Sequence, residues 1–391
     1  MKQGFFTKKE TESKSRPDGK TYSCVSCGLH KNTDNPKQKP KGNFKKEIMV
    51  IGESPKNNRY LKNILDKFNI DLFEDCININ ALSCKTEKNK FPDNYQIVCC
   101  RKNVFKAIDD YQPKVIILLG KSALISVIGN RWKKNLGDID KWRGFTIPDK
   151  DFKCWICPTF SSNFVENSEK EVKTVWEQDL KRALEKINIP LPKYKQPKIH
   201  IIKDLSILKD IKDIIAFDYE TTGIKPHASG HRIVCCSVAI NENTVYVFMM
   251  PSNRTNRKPF IDLLQNKFIR KMAHNIKYED TWSVVRLRAK VRNWEWDSML
   301  AAHILDNRSG VTGLKFQVYV NFGIVDYSSE IDPYLKAVTE KDGNSMNRIF
   351  ELLEQPGGQE KLLEYCALDG IYQYRLALLQ QEIIGYDFLP F

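Results

Sequence analysis

The chain has no uninterrupted apolar run of 18 residues, and its opening, MKQGFFTKKETESKSRPDGK, is polar where a secretory leader needs an apolar core. The first absence argues against a membrane-spanning helix and the second against export. A soluble, cytoplasmic protein without a membrane partner is the expectation. No internal repeat is visible either. Eleven cysteines are present, several as CxxC or CC pairs. In an intracellular chain that usage argues against a disulfide framework and for reduced thiols or metal ligation. With 391 residues, 41% of them hydrophobic, there is ample material for more than one packed core.

Charge is strongly one-sided. The formal net charge is +14, and residues 1–60 carry 14 Lys and Arg against 6 Asp and Glu. Such a basic stretch attracts polyanions, of which nucleic acid is the commonest inside a cell, although a solvated tail would look the same.

The pattern divides the sequence into a basic flexible tail (1–20), a first α/β domain (21–187), a Pro/Lys linker NIPLPKYKQPK (188–198) and a second domain (199–391). In the first domain KEIMVIGES, CININALSC and PKVIILLGKS read as strands, and RYLKNILDKFNI and VWEQDLKRALEKINI as helices. That alternation fits a largely parallel sheet covered on both faces. In the second, RIVCCSVAI and NTVYVFMMP flank the connection NEN as a hairpin. Helices follow later, so an α/β sheet with antiparallel strands in its first half is expected.

The strand IIAFDYETTGI ends with Asp218 and Glu220 two positions apart, hence on one face. Two adjacent carboxylates repel unless a cation lies between them, and hard oxygen ligands favour Mg²⁺ or Mn²⁺. In EYCALDG, Tyr365 and Asp369 are at i and i+4 and share a helical face. In HNIKYED, acids follow Asn275 and Lys277 at a helix start.

DxE followed by TG, then HNxKYE/D, then YxxxD resembles the three motifs of DEDDy-type 3′-5′ exonucleases, specifically the proofreading domain of family A DNA polymerases. WDSMLAAHILD is similar to a segment that family carries between its second and third motifs. The resemblance implies a ribonuclease H-like (DnaQ-like) mixed sheet and two divalent ions. Asp218 would bridge the ions, Glu220 and Asp369 would hold the first, and Tyr365 would orient the attacking water. The second ion would fall to Glu279 or Asp280; neighbours on a helix point ~100° apart, so only one of them can serve. Glu279 stands where the family usually has Asp. The same resemblance puts Thr222, Asn275 and Lys277 at the DNA. GLKFQVYVNFG and RLRAKVRNW mix basic and aromatic residues as a single-strand groove would.

CVSC places Cys24 and Cys27 as a ligand pair, and Cys84 and Cys100 complete a quartet that suits zinc or iron–sulfur equally on spacing. His30 is an alternative ligand, and Cys154 and Cys157 in CWIC are a further candidate pair. CxxC, VIGESP, ININALSC and Cys100 together resemble family 4 uracil-DNA glycosylases, which implies a parallel-sheet α/β/α sandwich and a 4Fe-4S cluster. Asn80 matches the asparagine that reads a flipped pyrimidine. This chain departs from that family: Lys56-Asn57-Asn58 offers no acid to position water, and PTFSSNF has no histidine.

The combined expectation is a proofreading 3′-5′ exonuclease joined to a glycosylase-like domain without glycosylase chemistry. It would act on single-stranded or frayed 3′ ends beside a separate family A polymerase subunit, as in a bacterial or phage split replicase. The sequence runs about 20 residues beyond Asp369, where such a polymerase would continue into its polymerising domain. A uracil-recognising repair enzyme and a non-catalytic DNA-binding scaffold are the alternatives.

Overall fold

The computed structural model describes residues 22–33, 36–55, 58–86, 92–339 and 344–386. The expected tail (1–20), Lys56 and Asn57 lie outside the described residues. The chain divides into two compact units, one reaching Pro192 and including Val320–Val325, the other comprising Lys193–Tyr319 and the residues from Asp326 onward.

The first unit is built on a five-stranded sheet of β1 (Ile48–Gly52), β2 (Cys76–Asn80), β3 (Val115–Leu119), β4 (Ile147–Asp149) and β5 (Cys154–Thr159). Their spatial order is β2-β1-β3-β5-β4, all parallel except β4. Val115–Leu119 is buried along its whole length, as a central parallel strand with both faces covered must be. One covering layer includes the helices Arg59–Asp66 and Lys170–Glu185, whose Leu61, Leu65, Trp176 and Leu180 pack with Val50 and Ile117. The chain order reverses across β1, so the loops after β1 and β3 open a crevice at the carboxyl ends of the strands, where open α/β sheets bind ligands.

The second unit has six strands: β6 (Lys198–Ile201), β7 (Ile214–Thr221), β8 (Ile233–Asn241), β9 (Thr244–Met249), β10 (Arg270–Ala273) and β11 (Trp294–Asp297). They lie in the order β11-β10-β7-β8-β9-β6. β7, β8 and β9 form the antiparallel meander, while β10 and β11 add in parallel with β7 and β6 adds in parallel to β9. Both sheets match the α/β class expected from the sequence.

Alternation along β7 sends Phe217 and Tyr219 into an aromatic core with Phe260, Phe248 and Trp282. Asp218 and Glu220 emerge on the other face, which the long helix Gly358–Ile384 covers. Two contacts seat that helix. Gln373 Nε2 donates to the carbonyls of Phe217 at 3.2 Å and Met272 at 3.0 Å, bridging β7 and β10. Gly370 lies so close to β8 that a Cβ there would come within 2.5 Å of Ser237 Oγ. The strand with two acids is thereby pressed against the helix with the third.

Candidate functional site

Asp218 is half-buried, whereas Glu220, Glu279 and Asp369 are buried. The Asp218 carboxyl is pushed up to about 8, first by burial and then by Asp369, with Lys315 opposing. Glu220 is held well above the carboxylate range by burial and then by Asp218. Glu279 is raised likewise, with Asp218 again the leading charge, and its Oε2 is buried without a hydrogen-bond partner. These are carboxyls in want of a cation. Among the described residues, one trio of metal-capable side chains has all its ligand atoms within 4.8 Å of one another: Asp218, Glu220 and Cys366.

The two candidates on the helix Ile276–Trp282 part company. Glu279 is 2% exposed and faces the acid cluster, while Asp280 accepts a 3.3 Å hydrogen bond from the Trp294 indole. The ~100° between helical neighbours makes this an either/or choice. Tyr365 is buried on the last helix, its phenol kept protonated first by burial and then by Asp369.

Lys315, on the helix Leu314–Phe322, pairs its Nζ with Asp369 Oδ1 and stands 4.3 Å from the Tyr365 ring centroid. Tyr327 donates its hydroxyl to the same Oδ1 at 2.6 Å. Neither position emerged as a site residue from sequence reasoning. GLKFQVYVNFG mixes basic and aromatic residues, but nothing local says that its lysine reaches an acid 54 positions away.

Asp297 organises the approach to the cluster. Its Oδ1 accepts from the backbone N–H of Asn275, Met299 and Leu300, and its Oδ2 accepts from Ile276 N–H at 2.9 Å. One carboxylate thus caps both the helix carrying Glu279 and the helix Ser298–Leu305. Asn275 takes the left-handed backbone this junction requires, at φ 81°.

In the second unit, three residues are expected at DNA. Lys277 is exposed and Asn275 half-buried. Thr222 is buried, and its hydroxyl accepts the Arg232 N–H at 2.9 Å, tying the end of β7 to the start of β8.

In the first unit the short helix Cys24–Cys27 neighbours Cys84 and the helix Asn94–Tyr111 that carries Cys100. Burial raises the Cys27 thiol, and Cys99, Cys24 and Cys84 raise it further. Cys100 is pushed up to about 11 by burial, with Cys27, Cys84 and Cys24 adding to it. Backbone N–H groups point at three of the sulfurs: Leu29 at Cys27, Ser83 at Cys100, and Lys37 at Cys84 over 3.3 Å. Four converging thiols with N–H donors aimed at them form a donor set suited to a metal centre. Cys154 and Cys157 are instead buried in β5, both thiols raised by desolvation.

The crevice of the first unit holds Asn80 at the end of β2, its Oδ1 against Gly52, where a Cβ would sit 2.6 Å away. Glu53 follows Gly52, and its carboxyl packs against Gly120, which has φ 88° and could not carry a Cβ there. Glu53 lies within VIGESP, where no local pattern marks it as part of the crevice.

The family model described as 3′-5′ exonuclease matches residues 199–383. This second unit is a 3′-5′ exonuclease domain. The exonuclease domain is joined to a region homologous to type-4 uracil-DNA glycosylases. The Saccharolobus solfataricus enzyme is 26% identical over 152 residues, 35% of this chain and 69% of the relative. The Sulfurisphaera tokodaii enzyme is 25% identical over 153 residues, with the same coverages. Among solved structures, Brucella melitensis NrnC with bound Mg²⁺ aligns over 49% of this chain and 84% of its own at 18% identity and TM-score 0.35. Escherichia coli RNase D aligns over 49% and 47% at 15% identity and TM-score 0.34. No helix of the described residues is long and apolar enough to cross a membrane.

Proposed function

We propose that the exonuclease domain is of the DEDDy type and removes nucleotides from DNA 3′ ends with two divalent ions, Mg²⁺ or Mn²⁺. The observation that carries this reading is the convergence of Asp218, Glu220, Glu279 and Asp369 beside the Tyr365 phenol, with the Asp218, Glu220 and Glu279 carboxyls raised by burial and by neighbouring acids. Asp218, Glu220 and Asp369 would hold one ion, and Asp218 with Glu279 the other. Bound there, such ions supply an activated water and neutralise charge on the departing 3′ oxygen. Tyr365, kept neutral, offers a hydrogen bond that orients the water. Lys277, exposed on the helix that carries Glu279, would meet the strand's phosphates.

The four-cysteine centre is read as 4Fe-4S rather than zinc. Homology of this region to the type-4 uracil-DNA glycosylases, whose resemblance implies such a cluster at these four positions, supports the reading. A brown protein absorbing near ~400 nm is expected; a colourless protein containing stoichiometric zinc would reverse the assignment.

The glycosylase-like domain is read as a DNA-binding or docking module. PTFSSNF supplies Ser161 and Ser162 where charge stabilisation of a leaving base would be needed, and Glu53 is engaged with Gly120 and, at 3.5 Å, the Ser122 N–H. The match to the 3′-5′ exonuclease family supports the nuclease part of this reading, and a proofreading role beside a separate polymerase subunit is our proposal.

Excision of a mismatched 3′ nucleotide in Mg²⁺ or Mn²⁺ should vanish with Asp218→Ala. Full activity in that variant would overturn the reading. A uracil-containing oligonucleotide treated with the protein and then alkali should stay intact.

A further inference from the structure

Outside the acid cluster, the exonuclease domain encloses a cavity of about 390 Å³ lined by Arg232, Arg257 and Arg286, and no lining residue is acidic. It opens beside Ile233 and Leu287, which belong to the core under Tyr219, the face of the sheet opposite Asp218 and Glu220. It is therefore a separate site.

The three guanidinium groups are held in place without being neutralised. Arg286 donates to the Ala228 carbonyl at 2.6 Å, and its Nε is buried with no partner. Arg257 donates to the carbonyls of Pro251 and Ser252. Arg232 lies 4.3 Å over the Phe350 ring. Among the described residues none of the three forms an ion pair with a carboxylate. Carbonyl anchoring fixes a guanidinium's direction while leaving its charge to a ligand. Arginine's planar fork suits a phosphate, and the apolar wall of Met249, Met250 and Phe350 suits a flat ring.

We infer that this cavity binds a nucleoside phosphate through Arg232, Arg257 and Arg286, with the base against Phe350 and the methionines. The choice of nucleotide among phosphate esters rests on the exonuclease reading. The ligand is either a nucleotide within a bound strand or a free mononucleotide. The Thr222–Arg232 link ties the cavity's rim to the end of β7, two residues beyond Glu220.

The test is binding to the full-length protein in EDTA, where no excision occurs. Two probes are used: fluorescein-labelled single-stranded oligothymidylate by anisotropy, and dTMP by calorimetry. The variants are Arg286→Gln, Arg232→Ala and Phe350→Ala, each checked for an unchanged melting temperature. Arg232 is exposed, so its variant preserves the fold if the other two do not. A loss of roughly tenfold or more in oligothymidylate affinity, with no dTMP binding by the wild type, assigns the site to a strand nucleotide. Binding of dTMP that the variants abolish assigns it to a free nucleotide. Unchanged affinity for both probes overturns the proposal. Asp218→Ala run in parallel keeps the two readings apart, because its excision assay judges the exonuclease and leaves the EDTA measurements to judge the cavity.

Discussion

Lys315 Nζ and Asp369 Oδ1 form an ion pair in which both side chains are largely buried, inside a group of raised carboxyls. The ammonium is a cation already beside the cluster, paired with Asp369 and opposing the rise of the Asp218 and Glu220 carboxyls. Replacing it with Gln should tighten Mg²⁺ or Mn²⁺ binding several-fold by calorimetry, because a competing cation is gone. It should also lower the melting temperature in EDTA. Weaker metal binding in Lys315→Gln would show that the lysine assists the ion instead of standing in for it.

Glu279 and Asp280 should separate cleanly. Removing a ligand should cost more than the 10–100-fold typical of outer-shell partners, so Glu279→Gln is expected to lower kcat by ~100-fold or more. Asp280→Asn should stay within a few-fold, since Asp280 faces the Trp294 indole. Single-turnover excision of a mismatched primer measures both.

Asp297→Ala removes one acceptor from four backbone N–H groups at two helix starts. At ~1 kcal/mol for each lost cap, roughly 2 kcal/mol of stability should go. In a domain of this size that is a fall of about 4–8 °C in Tm. Excision should fall with it, because the helix carrying Glu279 loses its anchor.

Gly370→Ala should weaken excision by shifting the last helix away from β8, and Asp369 with it. The extra Cβ would meet Ser237 Oγ at 2.5 Å. Ser237→Gly in the same chain should restore part of the activity. No recovery in the double variant would place the strain elsewhere.

The metal-free protein should lose stability as pH rises. Unfolded, Asp218 releases its proton near the ordinary 3.8, while in the fold it keeps it up to about 8. Between those values the native state binds more protons than the unfolded one. This contribution is therefore complete below pH ~4, declines as pH rises, and is lost once pH passes about 8. Melting in EDTA from pH 5 to 8 should show the decline, Asp218→Asn should make it shallower while Glu220 and Glu279 keep part of it, and Mn²⁺ should oppose it most strongly at the alkaline end.

The strands of both sheets were readable because their apolar runs are local. The period of two along β7 already places Asp218 and Glu220 on one face, just as i, i+4 spacing pairs Tyr365 with Asp369. The burial of Thr222 is not legible locally, because it depends on Arg232, ten residues away just before the next strand. Asp297 was seen only as part of a familiar segment, since a carboxylate that caps two helices looks in sequence like any acid before a serine.

The sequence by itself determined which residue types could hold cations and on which faces of their own elements they lie, because backbone periodicity is a local property. Only the tertiary structure decided that Glu279 and not Asp280 meets Asp218, that Lys315 reaches Asp369, and that three arginines surround one cavity without an acid among them. Those outcomes depend on packing between elements tens of residues apart, where burial and neighbouring charge set what each side chain can do.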